Sequence, residues 1–210
     1  DYQGIDPGDA NISVAGTDET RKNAYRTTLN ARIVIPTDPS CRWVGSRIIY
    51  EAGNEASWVS NPIVISGYSD PEIDNLEVVN AYNSALHLKG TRRGVIRKPR
   101  IRNLTNNPGN GQDGYGIVAS GCLEPHVIGG QFENCRHAFT TKDALVAASS
   151  TDFATLIGRG LTQGAVIERC AARYFDDNSA FDTGHDALDA TFINCSVSDS
   201  LAAGFTNRGR

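Results

Sequence analysis

Phe132-Glu133-Asn134-Cys135 is one of five tetrapeptides with the same pattern, an apolar residue, a variable one, usually asparagine, and then a small or apolar residue. The others are Val78-Val79-Asn80-Ala81, Ile101-Arg102-Asn103-Leu104, Ile167-Glu168-Arg169-Cys170 and Phe192-Ile193-Asn194-Cys195, with starts separated in chain order by 23, 31, 35 and 25 residues. A second motif, small then large apolar, follows each: Ala85-Leu86, Gly116-Ile117, Ala138-Phe139, Ala180-Phe181 and Gly204-Phe205. A period of 23 to 25 residues with alternating apolar positions is that of a right-handed parallel β-helix, an all-β single-stranded solenoid. Each coil supplies about three short strands and rises about 4.8 Å. The two long spacings are then insertions, at 105–114 (TNNPGNGQDG) and 142–164.

Stacking gives each column a physical meaning. Asn80, Asn103, Asn134 and Asn194 fall in one column, where side-chain amides can bond from coil to coil, and Arg169 interrupts it. Cys135, Cys170 and Cys195 fall in the next column, with Leu104 and Ala81, as small inward hydrophobes. Successive rungs offer a line of thiols rather than a tetrahedron, so no metal is expected. An odd count of five cysteines without scaffold spacing predicts free thiols. Phe139, Phe181 and Phe205 extend an apolar stack begun by Leu86 and Ile117.

Composition sets outer limits. The chain has 210 residues, of which 21 are glycine, and it carries 40% hydrophobic and 21% charged residues, a balance that excludes disorder and suits a turn-rich β protein. A net charge of −4 without a basic block excludes a nucleic-acid partner, whose phosphates need clustered lysine and arginine. No apolar run reaches the length of a membrane span, so no membrane insertion is expected. The absence of methionine predicts a piece of a longer protein.

Thr17 to Ala31 reads as an amphipathic helix, with Thr17 as N-cap and Asp18 and Glu19 in the first turn. It would belong to an N-terminal region, 1–31, that caps the coils of 32–210. The β runs Arg32 to Pro36, Arg47 to Tyr50 and Pro62 to Gly67 follow it. Gly16-Thr17-Asp18-Glu19-Thr20 with Ile33-Val34-Ile35-Pro36 resembles the opening of the pectate-lyase-like β-helices of bacteriophage tailspikes, a Gly-x-Asp-Asp-Thr helix and an xVxIP strand before the coils. The resemblance spans most of residues 16 to 210. It implies a homotrimer in the virion tail, made in the bacterial host cytoplasm and attached to other tail proteins. It also implies binding of host surface polysaccharide, often with depolymerisation. Two further readings stand beside it, a non-catalytic structural or receptor-binding fibre segment and a secreted polysaccharide lyase or epimerase.

The chemistry-bearing cluster is Phe181-Asp182-Thr183-Gly184-His185-Asp186. Strand alternation turns Phe181 and Thr183 inward and Asp182 outward. Neighbouring coils add His137, Thr140 and Lys142, then Tyr115 and Ser120, then Thr206 and Arg208, with Tyr115, His137 and Ser179 in one column. The candidate catalytic residues are therefore Asp182, His185, Asp186 and His137. Tyr115, Lys142, Arg208 and Asp143 are the candidate substrate-binding residues, the cations holding sugar carboxylates. The segment from Ser179 is also similar to the Tyr-Gly-Phe-Asp-Pro-His motif of mannuronan C5-epimerases, with Asp182 and His185 on its acid and histidine. Ser179 stands at its tyrosine, Thr183 at its proline, and Gly184 is inserted. Glycoside hydrolysis needs two carboxyls roughly 5 to 10 Å apart, for which Asp176, Asp177, Asp186 and Asp143 are the partners open to Asp182. No cofactor is expected. Glu133 and Glu168 are placed with Arg102 in one ion-pairing outward column.

Overall fold

In the computed structural model the described residues are 13–14, 33–35, 42–50, 58–105, 114–142, 162–175, 179–183 and 187–207. They are strand, turn and bend, with no helix among them. The helix expected over Thr17 to Ala31 lies outside the described residues, as do most of the two expected insertions.

Three sheets hold nearly all the strands. Sheet 1 has eight, in spatial and chain order Ser13–Val14, Ile33–Ile35, Ile63–Ser66, Ser84–Lys89, Tyr115–Ser120, His137–Lys142, Phe181–Thr183 and Phe205–Asn207. Sheet 2 has Arg42–Val44, Glu72–Asp74, Val95–Arg97, His126–Ile128, Val166–Glu168 and Thr191–Ile193. Sheet 3 has Arg47–Ile49, Glu77–Tyr82, Arg100–Thr105, Gln131–Glu133, Ala171–Arg173 and Ser196–Ser198. All pairings are parallel except that of Ser13–Val14 with Ile33–Ile35. The chain passes from sheet 2 to sheet 3 to sheet 1 and returns through a fourth short ladder at Ser69, Arg92, Leu123 and Gln163. Each strand thus bonds to its counterpart in the preceding and following passes, which satisfies backbone groups that would otherwise be buried without partners.

The core is built in columns along these ladders. Sheet 1 contributes Ile63, Leu86, Ile117, Phe139, Phe181 and Phe205 in continuous register. The expected stack of Leu86, Ile117 and the three phenylalanines is therefore present. Sheet 2 contributes Ile73, Ile96, Val127, Ile167 and Phe192, and sheet 3 contributes Ile48, Val78, Ile101, Phe132, Ala172 and Val197. In each three-residue strand of sheets 2 and 3 the middle side chain is the inward one, so an out-in-out unit is the minimum that both buries an apolar residue and makes a ladder.

A corner in the left-handed backbone region follows each three-residue strand of sheets 2 and 3 except Arg47–Ile49, and the corners recur every five residues within a pass. They fall at Asp70, Asn75 and Asn80 in one pass and at Arg93, Lys98 and Asn103 in the next. The later passes place them at Glu124, Gly129 and Asn134, at Gly164, Arg169 and Tyr174, and at Asp189, Asn194 and Asp199. This five-residue step corrects two expected columns. Ile167 and Phe192 belong to sheet 2, not to the sheet of Val78, Ile101 and Phe132, so Arg169 and Asn194 share a corner with Gly45, Asn75, Lys98 and Gly129. The asparagine ladder therefore ends after three members. Asn134 Nδ2 donates to Asn103 Oδ1 at 3.2 Å, Asn103 Nδ2 to Asn80 Oδ1 at 3.1 Å, and Asn80 Nδ2 to the Tyr50 carbonyl at 2.7 Å.

The cysteine column divides for the same reason. Cys135 follows the sheet 3 corner with Ala81 and Leu104, whereas Cys170 and Cys195 follow the sheet 2 corner with Leu76, Pro99 and Gly130. Cys122, Cys135, Cys170 and Cys195 are free thiols. Cys122 sits in a further column, taking a hydrogen bond from the Thr91 hydroxyl at 3.3 Å.

Candidate functional site

Asp182 lies in the outward column of sheet 1 by register, paired with Thr140 on one side and Thr206 on the other. It is nevertheless fully buried, at 0% exposure, and its column mates Val118 and Thr140 are buried as well, while Thr206 is half-buried. The expectation that Asp182 reaches the outer surface is thereby corrected: in this part of sheet 1 the outward side of the pleat is not the solvent side. Val64 and Val118 carry the sequence signal for this, since an apolar residue on the outward side of a strand marks a face that is covered.

Around Asp182 the passes assemble a polar cluster. The Thr140 hydroxyl donates to Asp182 Oδ2 at 3.2 Å, and His137 Nε2 stands 3.9 Å from the same oxygen. His137 is itself buried, and its Nδ1–H donates to the Ser179 carbonyl. That bond puts the neutral ring's proton on Nδ1 and leaves the Nε2 lone pair facing Asp182; a second proton on Nε2 makes the two an ion pair. Tyr115, one pass before His137, lies parallel to the imidazole with ring centroids 5.4 Å apart. Its hydroxyl accepts from an Arg136 guanidinium N–H at 3.2 Å, and the Lys142 ammonium stands 4.1 Å from its ring centroid. Arg136, placed by the turn just before the His137 strand, carried no sequence signal as a site residue.

Of the expected site, the structure brings together Tyr115, His137, Lys142 and Asp182. His185, Asp186, Asp143 and Arg208 lie outside the described residues, as do Asp176 and Asp177. Tyr115 and Asp182 are two passes apart, about 10 Å by ladder spacing, with His137 between them. A phenol and a carboxylate at that separation do not serve one reacting atom. His87, in the same outward column as Asp182, hydrogen-bonds Ser120 through Nε2 and Oγ at 2.9 Å. Burial, then the ammonium groups of Lys89 and Lys142, hold its imidazole down at about 3, so it is a neutral ring at pH 7.

An open groove lies elsewhere, along the outer face of sheet 3. Its walls are Glu77, Arg100, Arg102, Gln131, Glu133 and Arg173, and Ala171, Ser196 and Ser198 line the far end. Arg102, Glu133 and Arg173 stand in register on successive passes. Arg173 bonds Glu133 at 2.8 Å, and Arg102 reaches Glu77 at 3.3 Å. Glu168 is not part of this column: it belongs to sheet 2, where it meets His126 at 3.3 Å and Arg169 at 3.1 Å. Sequence reasoning identified the Arg102 and Glu133 pairing face but not the groove, because concavity arises from short Ala and Ser side chains on passes whose faces the tetrapeptide alignment had exchanged. No cluster of three or more metal-ligating side chains occurs among the described residues. Compared with family models, with curated proteins and with solved structures, the chain matches none.

Proposed function

We propose that the chain is a right-handed parallel β-helix of the bacteriophage tailspike type that binds host surface polysaccharide in the groove of sheet 3. The right hand follows from the near-universal preference of parallel crossovers. The observation that carries the binding reading is the comb of Arg100, Arg102, Gln131, Glu133 and Arg173 on successive passes. A comb repeating about every 4.8 Å matches a polymer of pyranose rings running across the passes. Guanidinium groups hold carboxylates bidentately, and the Gln and Ser side chains meet hydroxyls. On this reading the working protein is a homotrimer in the virion tail, held to other tail proteins. Titration of purified capsule or lipopolysaccharide into the chain tests it by calorimetry. Arg102→Ala with Arg173→Ala should weaken binding at least ten-fold, and unchanged affinity would remove the groove from the site.

Depolymerisation is the second reading, favoured by the pairing of His137 with Asp182. Release of reducing ends from the same polysaccharide, abolished by Asp182→Asn in a chain that retains its far-ultraviolet spectrum, is its signature. Binding without release leaves a receptor-binding fibre segment.

A further inference from the structure

Cys170 and Cys195 occupy the same corner on adjacent passes. The strands on both sides of them are paired in register, Glu168 with Ile193 before and Ala171 with Ser196 after, and the Ser196 N–H donates to the Cys170 carbonyl at 2.9 Å. Their sulfurs have equivalent surroundings. Cys170 Sγ lies 3.4 Å from the Glu168 carbonyl and 3.8 Å from that of Val127, while Cys195 Sγ lies 3.5 Å from the Ile193 carbonyl and 3.3 Å from that of Ile167. Glu168 and Ile193 are register partners, and so are Val127 and Ile167, so one sulfur is the other displaced by a single pass. A displacement of about 4.8 Å between backbones falls inside the Cα separation that a disulfide spans, roughly 4.4 to 6.8 Å. Closing the bond takes rotation about χ1 together with an approach of the two Cβ atoms from about 4.8 Å to within about 4.5 Å.

The two thiols also differ in the way an exchange reaction needs. Cys170 is buried and Cys195 is partly exposed. The neighbouring Cys170 side chain holds the Cys195 thiol below its ordinary range against the opposing effect of burial, while Cys170 is raised, first by Cys195 and then by desolvation. Cys135 is a contrast: burial pushes its thiol up to about 12. Cys122 is buried and raised as well. One accessible thiolate beside one protected thiol is the arrangement of an attacking and a resolving cysteine.

We propose that Cys170 and Cys195 are a dithiol that a low-molecular-weight disulfide such as glutathione disulfide converts to an internal disulfide joining the two passes. The Cys195 thiolate attacks one sulfur of glutathione disulfide, forming a mixed disulfide and expelling one glutathione thiolate. Cys170 then gives its proton to that thiolate, and its sulfur attacks Cys195, expelling the second glutathione thiolate, which takes a proton from water. Two protein thiols are oxidised by two electrons and one glutathione disulfide is reduced to two thiols.

The test is exposure of the folded 210-residue chain to glutathione disulfide at pH 7, with intact-mass and peptide mapping after alkylation. The expected product has lost the mass of two hydrogens and joins the peptides carrying Cys170 and Cys195. Before oxidation Cys195 should alkylate at least ten-fold faster than Cys122 or Cys135. Cys170→Ser should stop the reaction at a glutathione adduct on Cys195, Cys195→Ser should block it entirely, and Cys135→Ser should leave it intact. A disulfide to any other cysteine, a stable adduct on Cys195 in the parent chain, or no reaction at all would overturn the assignment.

Discussion

Phe132 is the largest residue in its column, among Ile48, Val78, Ile101, Ala172 and Val197, and the chain makes room for it with glycine. A Cβ at Gly130 would lie 2.5 Å from Phe132 Cε2 and 3.0 Å from its Cζ, with Pro99 Cγ at 3.1 Å. The backbone at this place is no obstacle, since other passes carry Leu76, Pro99, Cys170 and Cys195 there. Gly130→Ala therefore tests a side-chain clash alone, and overpacking of this kind costs about 2 kcal/mol. Phe132→Leu, at a site only 2% exposed, costs about 1 kcal/mol through lost contacts. With both changes the added methyl occupies space the ring has left, so the double variant should be destabilised by about 1 kcal/mol, well short of the sum of the singles. Urea unfolding followed by far-ultraviolet circular dichroism, at equal m-values, measures the cycle. Additivity to within about 0.5 kcal/mol would refute the claim that the glycine exists for the ring.

Two further perturbations follow from the ladders. The His87 imidazole, held at about 3 against an ordinary 6.5, stays neutral in the fold while the unfolded chain takes up a proton below pH 6.5. Its contribution is complete above pH 6.5 and is lost as pH falls towards 3, with a limiting slope of about 1.4 kcal/mol per pH unit. The difference in stability between the parent and His87→Gln should shrink over that window, and a flat difference would show that the ring is not held neutral. At Asn103, φ is 56° and the amide bridges Asn80 and Asn134. Asn103→Gly loses the bridge but keeps the left-handed conformation, while Asn103→Ala loses both, so Ala should cost about 1 kcal/mol more than Gly. Equal costs in thermal unfolding would assign the position to the amides alone.

Periodicity made the stacked parallel strands legible, and the same periodicity concealed their phase. From Glu72 onward each three-residue strand of sheets 2 and 3 is out-in-out and is followed by a left-handed corner and an inward residue. The pattern apolar, variable, turn, small therefore recurs five residues later on the next face. Ile167-Glu168-Arg169-Cys170 and Phe192-Ile193-Asn194-Cys195 match Phe132-Glu133-Asn134-Cys135 in pattern while lying on sheet 2 rather than sheet 3. Composition could not resolve the slip, because the corners accept Arg93, Lys98, Glu124, Arg169 and Tyr174 as well as Asn, Asp and Gly. Parallel pairing supplies enough ladder bonds to hold these residues at positive φ, a tertiary override of local preference.

The repeat pattern placed Tyr115, His137, Lys142 and Asp182 on neighbouring passes but not the burial of Asp182, and the difference bears on what that residue does. Alternation places it outward, yet Thr140 beside it and Val118 and Val64 further along the column are buried too. A carboxylate at 0% exposure persists only where hydrogen bonds and charge replace its hydration. The Thr140 hydroxyl and the His137 imidazole are two such partners. The same pair that could move a proton is therefore also the pair that keeps the carboxylate folded. A loss of activity in Asp182→Asn consequently means catalysis only if His137→Gln, which removes the imidazole, lowers turnover by a similar factor while the unfolding midpoints of the two variants differ. Parallel losses of stability and turnover in both would make the cluster a buried polar joint between passes, and the groove of sheet 3 would then be the chain's working surface.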